Sequence, residues 1–119
     1  MNYPKYPDHP ICEHCERALE NWSGNIMVDT RDYPDKIDTF HVWCKECTTD
    51  LDKRGVGRRF HNIWELSWFK KTYFDLEREV LEELKEENPR WGIEALMKFN
   101  DLGRMVYGVK PARKEDENL

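Results

Sequence analysis

The chain is 119 residues long, 39% apolar and 36% charged, with a net charge of −5. That length builds one small domain whose core is thin, so a metal ion or a partner surface is expected to supplement it. No run of roughly 18 apolar residues exists to cross a bilayer, and the acidic total argues against an extended nucleic-acid footprint.

The chain opens with MNYPKYPDHP, polar and proline-rich, without the apolar stretch of a secretory signal. A soluble, cytoplasmic protein with reduced thiols is the expectation. Cys12 and Cys15 follow; Cys44 and Cys47 repeat their spacing after a gap of 28 residues, and there are no other cysteines. Two thiolates so spaced reach one ion from a single backbone turn, and a second pair completes the four-sulfur tetrahedron that zinc favours. Disulfides offer three pairings of the same residues, and a redox dithiol is a further reading; matched duplicate pairs suit chelation better than either. The expected cofactor is one structural Zn²⁺ on Cys12, Cys15, Cys44 and Cys47, a closed shell with no position for a reacting water. His41, three residues before Cys44, is an alternative ligand. His9 and His14 are read as solvated, and Lys45 as a cation beside the thiolate shell.

Ile26 to Thr30 and Ile37 to Trp43 carry the β-branched and aromatic residues of strands, and RDYPDK between them has turn chemistry, which predicts a β-hairpin. CKECTTDLDKRG then predicts a short helix with Cys44 at its entrance, Cys47 in its first turn and Gly55 at its end. Knuckle, hairpin and ligand-bearing helix over residues 11–55 resemble a treble-clef zinc finger. The resemblance extends to two families. HNH nucleases place a general-base histidine where this chain has Thr30 in Val28-Asp29-Thr30-Arg31-Asp32-Tyr33-Pro34, and a metal-binding histidine where it has Thr48. Threonine does neither task at neutral pH, so the catalytic pieces of that family are absent. The first half of a LIM domain is similar through His41 and Cys44, but no second ligand set follows.

The second half reads as helical. Asn62 with Glu65 resembles a capping box, and Ile63, Leu66, Phe69, Tyr73, Leu76, Val80 and Leu84 form a stripe at steps of three and four. This predicts a helix of roughly 25 residues, ~40 Å long. Asn88-Pro89 stops it and starts another, with Trp91, Ile93, Leu96, Met97, Phe99, Leu102, Met105 and Val106 on its apolar face and Gly103 or Gly108 at its end. The predicted fold class is small α+β: a zinc-nucleated module at 8–54, a basic Gly-rich joint at 55–61, a two-helix extension at 62–107 and a polar tail at 110–119.

Three functions are weighed. The favoured one is a non-catalytic, regulatory interaction module that binds a protein partner through Trp64, Trp68, Glu82, Glu83, Glu86 and Glu87. Large aromatics serve as interface anchors, and residues 75–87 hold seven acids against two bases, a local net charge of −5. The plainer reading makes the stripe intramolecular core and the acids a solvated face. The alternative function is nucleic-acid binding, with Lys53, Arg54, Arg58, Arg59, Lys70 and Lys71 on phosphates. No phosphate loop, nucleophile triad or carboxylate pair stands out, so no catalytic residue is expected.

Overall fold

Asn25–Asp29 forms β1, the middle strand of a three-stranded antiparallel sheet of order β2-β1-β3. A computed structural model describes residues 9–53 and 59–108 of the chain. β2 (His41–Trp43) and β1 are the predicted hairpin, in the register Asn25↔Trp43, Ile26↔Val42, Met27↔His41. Ile26, Met27 and Val28 are all buried, which explains an unbroken apolar run in place of the alternation of a half-solvated strand. α1 (Lys45–Lys53) follows β2 directly. Its expected end at Gly55, most of the basic joint and the tail at 110–119 lie outside the described residues.

The other edge of β1 corrects the sequence reading. Residues 62–65, expected to open a helix, belong instead to β3 (Phe60–Glu65), which runs antiparallel to β1 from Asp29↔Phe60 to Asn25↔Glu65 with a bulge between Ile26 and Met27. An unpaired edge on so buried a strand would leave its amides and carbonyls without partners, and that cost outweighs a local capping preference. Asn62 does not cap; its amide donates to Asn25 Oδ1 at 3.0 Å.

α2 (Leu66–Glu83) therefore starts later and is shorter than expected. Glu65 stands at its N-cap without a side-chain cap bond, and the Leu66 amide donates to Gly24 O at 2.9 Å instead. A kink falls at Thr72 (φ −122°, ψ 26°), whose hydroxyl donates to Trp68 O at 2.8 Å, the back-bonding that bends helices at Ser and Thr. The buried side chains are Leu66, Phe69, Tyr73, Leu76 and Val80, as the stripe predicts. α3 (Ile93–Tyr107) begins at Gly92, four residues beyond the expected Asn88 cap, because the intervening backbone is used elsewhere. Ile37 N donates to Arg90 O and Gly92 N to Ile37 O, which bridges this segment to the hairpin loop. Gly108, in the left-handed region at φ 63°, closes α3, a conformation that glycine adopts without penalty.

One apolar cluster runs from Cys12, Leu19 and Trp22 through the sheet to Phe69, Phe99 and Leu102, so the cysteine half and the helices share a core. Aromatic contacts carry much of it. Trp64 stacks on Trp91 at 5.8 Å, and Phe69 and Phe99 meet edge to face at 5.2 Å. Where α2 crosses α3, a β-carbon on Gly103 would lie 2.3 Å from Tyr73 Cζ, so the two helices meet at hydrogen-for-methyl distance. Among the described residues no helix is long and apolar enough to cross a membrane.

Candidate metal centre

The first ligand pair is shaped by a tight turn. Cys12 N donates to Arg17 O and Glu16 N returns to Cys12 O, both at 2.8 Å, with Glu16 at a positive φ of 64°. This leaves backbone amides free to point at sulfur: Cys15 N approaches Cys12 Sγ at 3.5 Å and Cys44 N approaches it at 3.3 Å. The second pair is set by the step from β2 into α1. Cys44 precedes the helix and Cys47 sits in its first turn, with Cys47 N 3.3 Å from Cys44 Sγ. Anionic sulfur at a helix N-terminus faces the positive end of the helix dipole. Thr48 fastens this corner to the sheet, since its hydroxyl donates to Cys44 O at 3.0 Å and accepts from the buried Asn25 amide at 3.2 Å.

All four Sγ atoms lie within 4.8 Å of one another, and Cys15 Sγ is 3.9 Å from Cys44 Sγ. Sulfurs at ~2.3 Å from a tetrahedral ion stand about 3.8 Å apart, so the donor set fits a metal ion bound by four thiolates. All four cysteines are free rather than disulfide-bonded. Burial raises the Cys12 thiol, but hydrogen bonds from the amides of Cys15, Cys44 and His14 outweigh it and bring the pKa down to about 7. Cys47 goes the other way, raised by burial and by the sulfurs of Cys44, Cys15 and Cys12 around it. Thiols this close do not all ionise unless a cation compensates them.

Glu13, between the first two ligands, was not singled out by the sequence. Its amide donates to Val42 O at 2.8 Å while its carboxylate accepts from Val42 N at 2.6 Å, so one residue pairs with β2 as a strand would. The same carboxylate accepts from Lys98 Nζ of α3 at 2.8 Å, and Lys98 also donates to Phe40 O. The cysteine turn, β2 and α3 thus meet at one carboxylate. No local pattern announces a partner 85 residues away.

Of the sequence candidates, the group among the described residues that could hold a metal is Cys12, Cys15, Cys44 and Cys47. His41 stacks on Trp43 at 5.0 Å and meets Phe60 edge-on at 5.8 Å; burial lowers its pKa, which keeps it neutral near pH 7. His14 is exposed, as expected, yet its Nδ1 lies 3.5 Å from Cys47 Sγ. Lys45 is paired with Glu65 at 3.8 Å.

The remaining candidates are dispersed. Lys53 ends α1 and is exposed, Arg59 pairs with Asp29 at 3.6 Å, Lys70 lies over the Trp22 ring, Lys71 is exposed, and Arg54 and Arg58 are outside the described residues. Trp64 packs against Trp91, Phe69 and Phe99, whereas Trp68 is half exposed. Glu82 accepts from Arg78 and Lys85, and Glu83 binds both Arg90 and the Trp91 ring nitrogen, fixing the approach to α3. Glu86 and Glu87 are exposed beyond the end of α2. Compared with protein families, curated proteins and solved structures, the chain finds no match.

Proposed function

We propose that this protein is a non-catalytic interaction module: a treble-clef-like half folded around one structural zinc ion, carrying a helical half that binds a protein partner. The observation that carries the reading is the distribution of exposed apolar groups. Among the described residues seven large apolar side chains are half exposed or more, and six of them (Trp68, Phe74, Leu81, Ile93, Met97 and Tyr107) lie on α2 and α3. A shared core buries one side of each helix; these six stand at or beyond its edge, where Phe74 and Tyr107 pack on each other and on Tyr73. The four-thiolate donor set has the softness and spacing that suit zinc and offers no fifth position for a substrate. The contact lies on the apolar face rather than on the acids of residues 82–87, because Glu82 and Glu83 already have partners within the chain.

Two measurements test it. Native mass spectrometry of protein purified under reducing conditions should find one zinc per chain, and chelation should abolish the folded signal. A pull-down comparing the intact chain with a Phe74→Glu/Met97→Glu variant should lose bound protein with the variant. Retention of every partner would remove the helical face from consideration, and a metal-free preparation with unchanged melting would remove the zinc.

A further inference from the structure

The geometry points to a second copy of this chain as an occupant of that helical face, the strip of Phe74 and Leu81 on α2 with Ile93, Met97 and Tyr107 on α3 packing against its own equivalent about a twofold axis. The inference rests on the reading of the helical half as a contact surface and names what covers it.

The strip runs along both helices, with Asn100 and Arg104, bonded to each other at 3.1 Å, between Met97 and Tyr107 on the same face of α3. Tyr107 stacks on Phe74 at 5.1 Å and meets Tyr73 at 6.0 Å, while Glu83, at the other end of α2, bonds to Trp91, just before α3. The helices are therefore antiparallel, with Phe74 beside the end of α3 and Leu81 towards its start. Seven residues separate Phe74 from Leu81, which puts them about two turns apart on the same side of α2. The five side chains are 51–74% exposed. At 150–250 Å² for a large side chain, they leave on the order of 600 Å² of surface in water, the top of the range usual for the largest apolar patch of a monomer. With a polar rim added, the face approaches the ~800 Å² per partner of a stable interface.

Charge decides between a copy and a different partner. A twofold interface sets each patch against itself, so a patch of one sign repels its mate. Here the charges beside the strip are of both signs and bonded within the chain: Arg78 and Lys85 both bond to Glu82, Glu77 accepts from Tyr73 at 3.0 Å, and on α3 Arg104 donates to Asn100 at 3.1 Å. The exposed acids Asp75 and Glu79 stand about 100–140° round the helix from Phe74, so a twofold contact through the strip leaves them in solvent. Two antiparallel helix pairs joined this way make a four-helix arrangement, the common means of covering such faces.

The test is the mass of the zinc-loaded full chain by sedimentation velocity and light scattering over a range of concentration. The expected species has twice the chain mass of 14.4 kDa. Phe74→Glu and Met97→Glu should each weaken the dimer by roughly a hundredfold or more, with zinc content and near-ultraviolet circular dichroism unchanged. Leu81→Lys and Ile93→Lys repeat the test at the other end of the strip should either first variant misfold, and Asp75→Lys/Glu79→Lys should leave the dimer intact. A wild-type chain that is monomeric at its highest soluble concentration overturns the proposal, as does a dimer indifferent to all four strip substitutions. If the monomeric chain still captures another protein through Phe74 and Met97, the dimer falls and the interaction reading stands; if it captures none, both fall.

Discussion

Replacing Glu13 by alanine removes an acceptor from two groups at once. Val42 is 3% exposed, so its amide, which donates to Glu13 Oε2 at 2.6 Å, would be left buried without a partner, at a cost of about 1–3 kcal/mol. The lost ion pair with Lys98, whose side chains are 29% and 36% exposed, adds about 1 kcal/mol at most. The expected loss is therefore about 1–4 kcal/mol, a fall in melting temperature of roughly 4–16 °C for a domain of this size. Glu13→Gln keeps a carbonyl for Val42 N and should cost only about 1 kcal/mol, because it removes the charge pairing and little else; Lys98→Met should cost more, because it also takes the donor from the carbonyl of buried Phe40. Urea unfolding of the zinc-loaded chain, with m unchanged, reads these values, and the Glu13→Gln/Lys98→Met double mutant should show coupling rather than additivity. A Glu13→Ala loss below about 0.5 kcal/mol would refute the role given to the Glu13 carboxylate. So would a Glu13→Gln variant as unstable as Glu13→Ala, since the acceptor at Val42 would then be irrelevant.

Three further outcomes are expected. Cys47→Ser should reduce zinc content and stability far more than His41→Ala, measured by metal analysis and thermal melting; equal losses would bring His41 into the ligand shell. Gly103→Ala should destabilise by roughly 2–4 kcal/mol, because the methyl group would enter the Tyr73 ring, and a neutral result would mean that α2 and α3 do not approach as described. The Tyr73 hydroxyl, raised by burial and by its bond to Glu77, keeps its proton when the unfolded chain loses one near pH 10. The unfolded state then binds fewer protons, so stability is full below pH ~10 and falls as pH rises above it. Tyr73→Phe should flatten that alkaline limb in pH-dependent urea melts, and an unchanged limb would assign it to other groups.

What the sequence determined by itself is whatever short-range spacing encodes. Two Cys-x-x-Cys turns define the candidate ligand set, because each places two sulfurs within reach of one ion and the four converge to within 4.8 Å. The three-to-four periodicity of Leu66, Phe69, Tyr73, Leu76 and Val80 defines the buried face of α2, because a helix repeats its direction every 3.6 residues. The tertiary structure decided where pairing partners lie far apart in the chain. Residues 62–65 carry a helix-start pattern yet become strand, since the buried edge of β1 needs their backbone. α3 starts at Gly92 because residues 90–92 are bonded to Ile37. Glu13 and Lys98 meet only when the cysteine turn and α3 are packed on β2. The exposed strip is of the same kind: Ile93 and Met97 are read from the sequence as part of the apolar face of the second helix, and only the packing shows that the core leaves them in solvent.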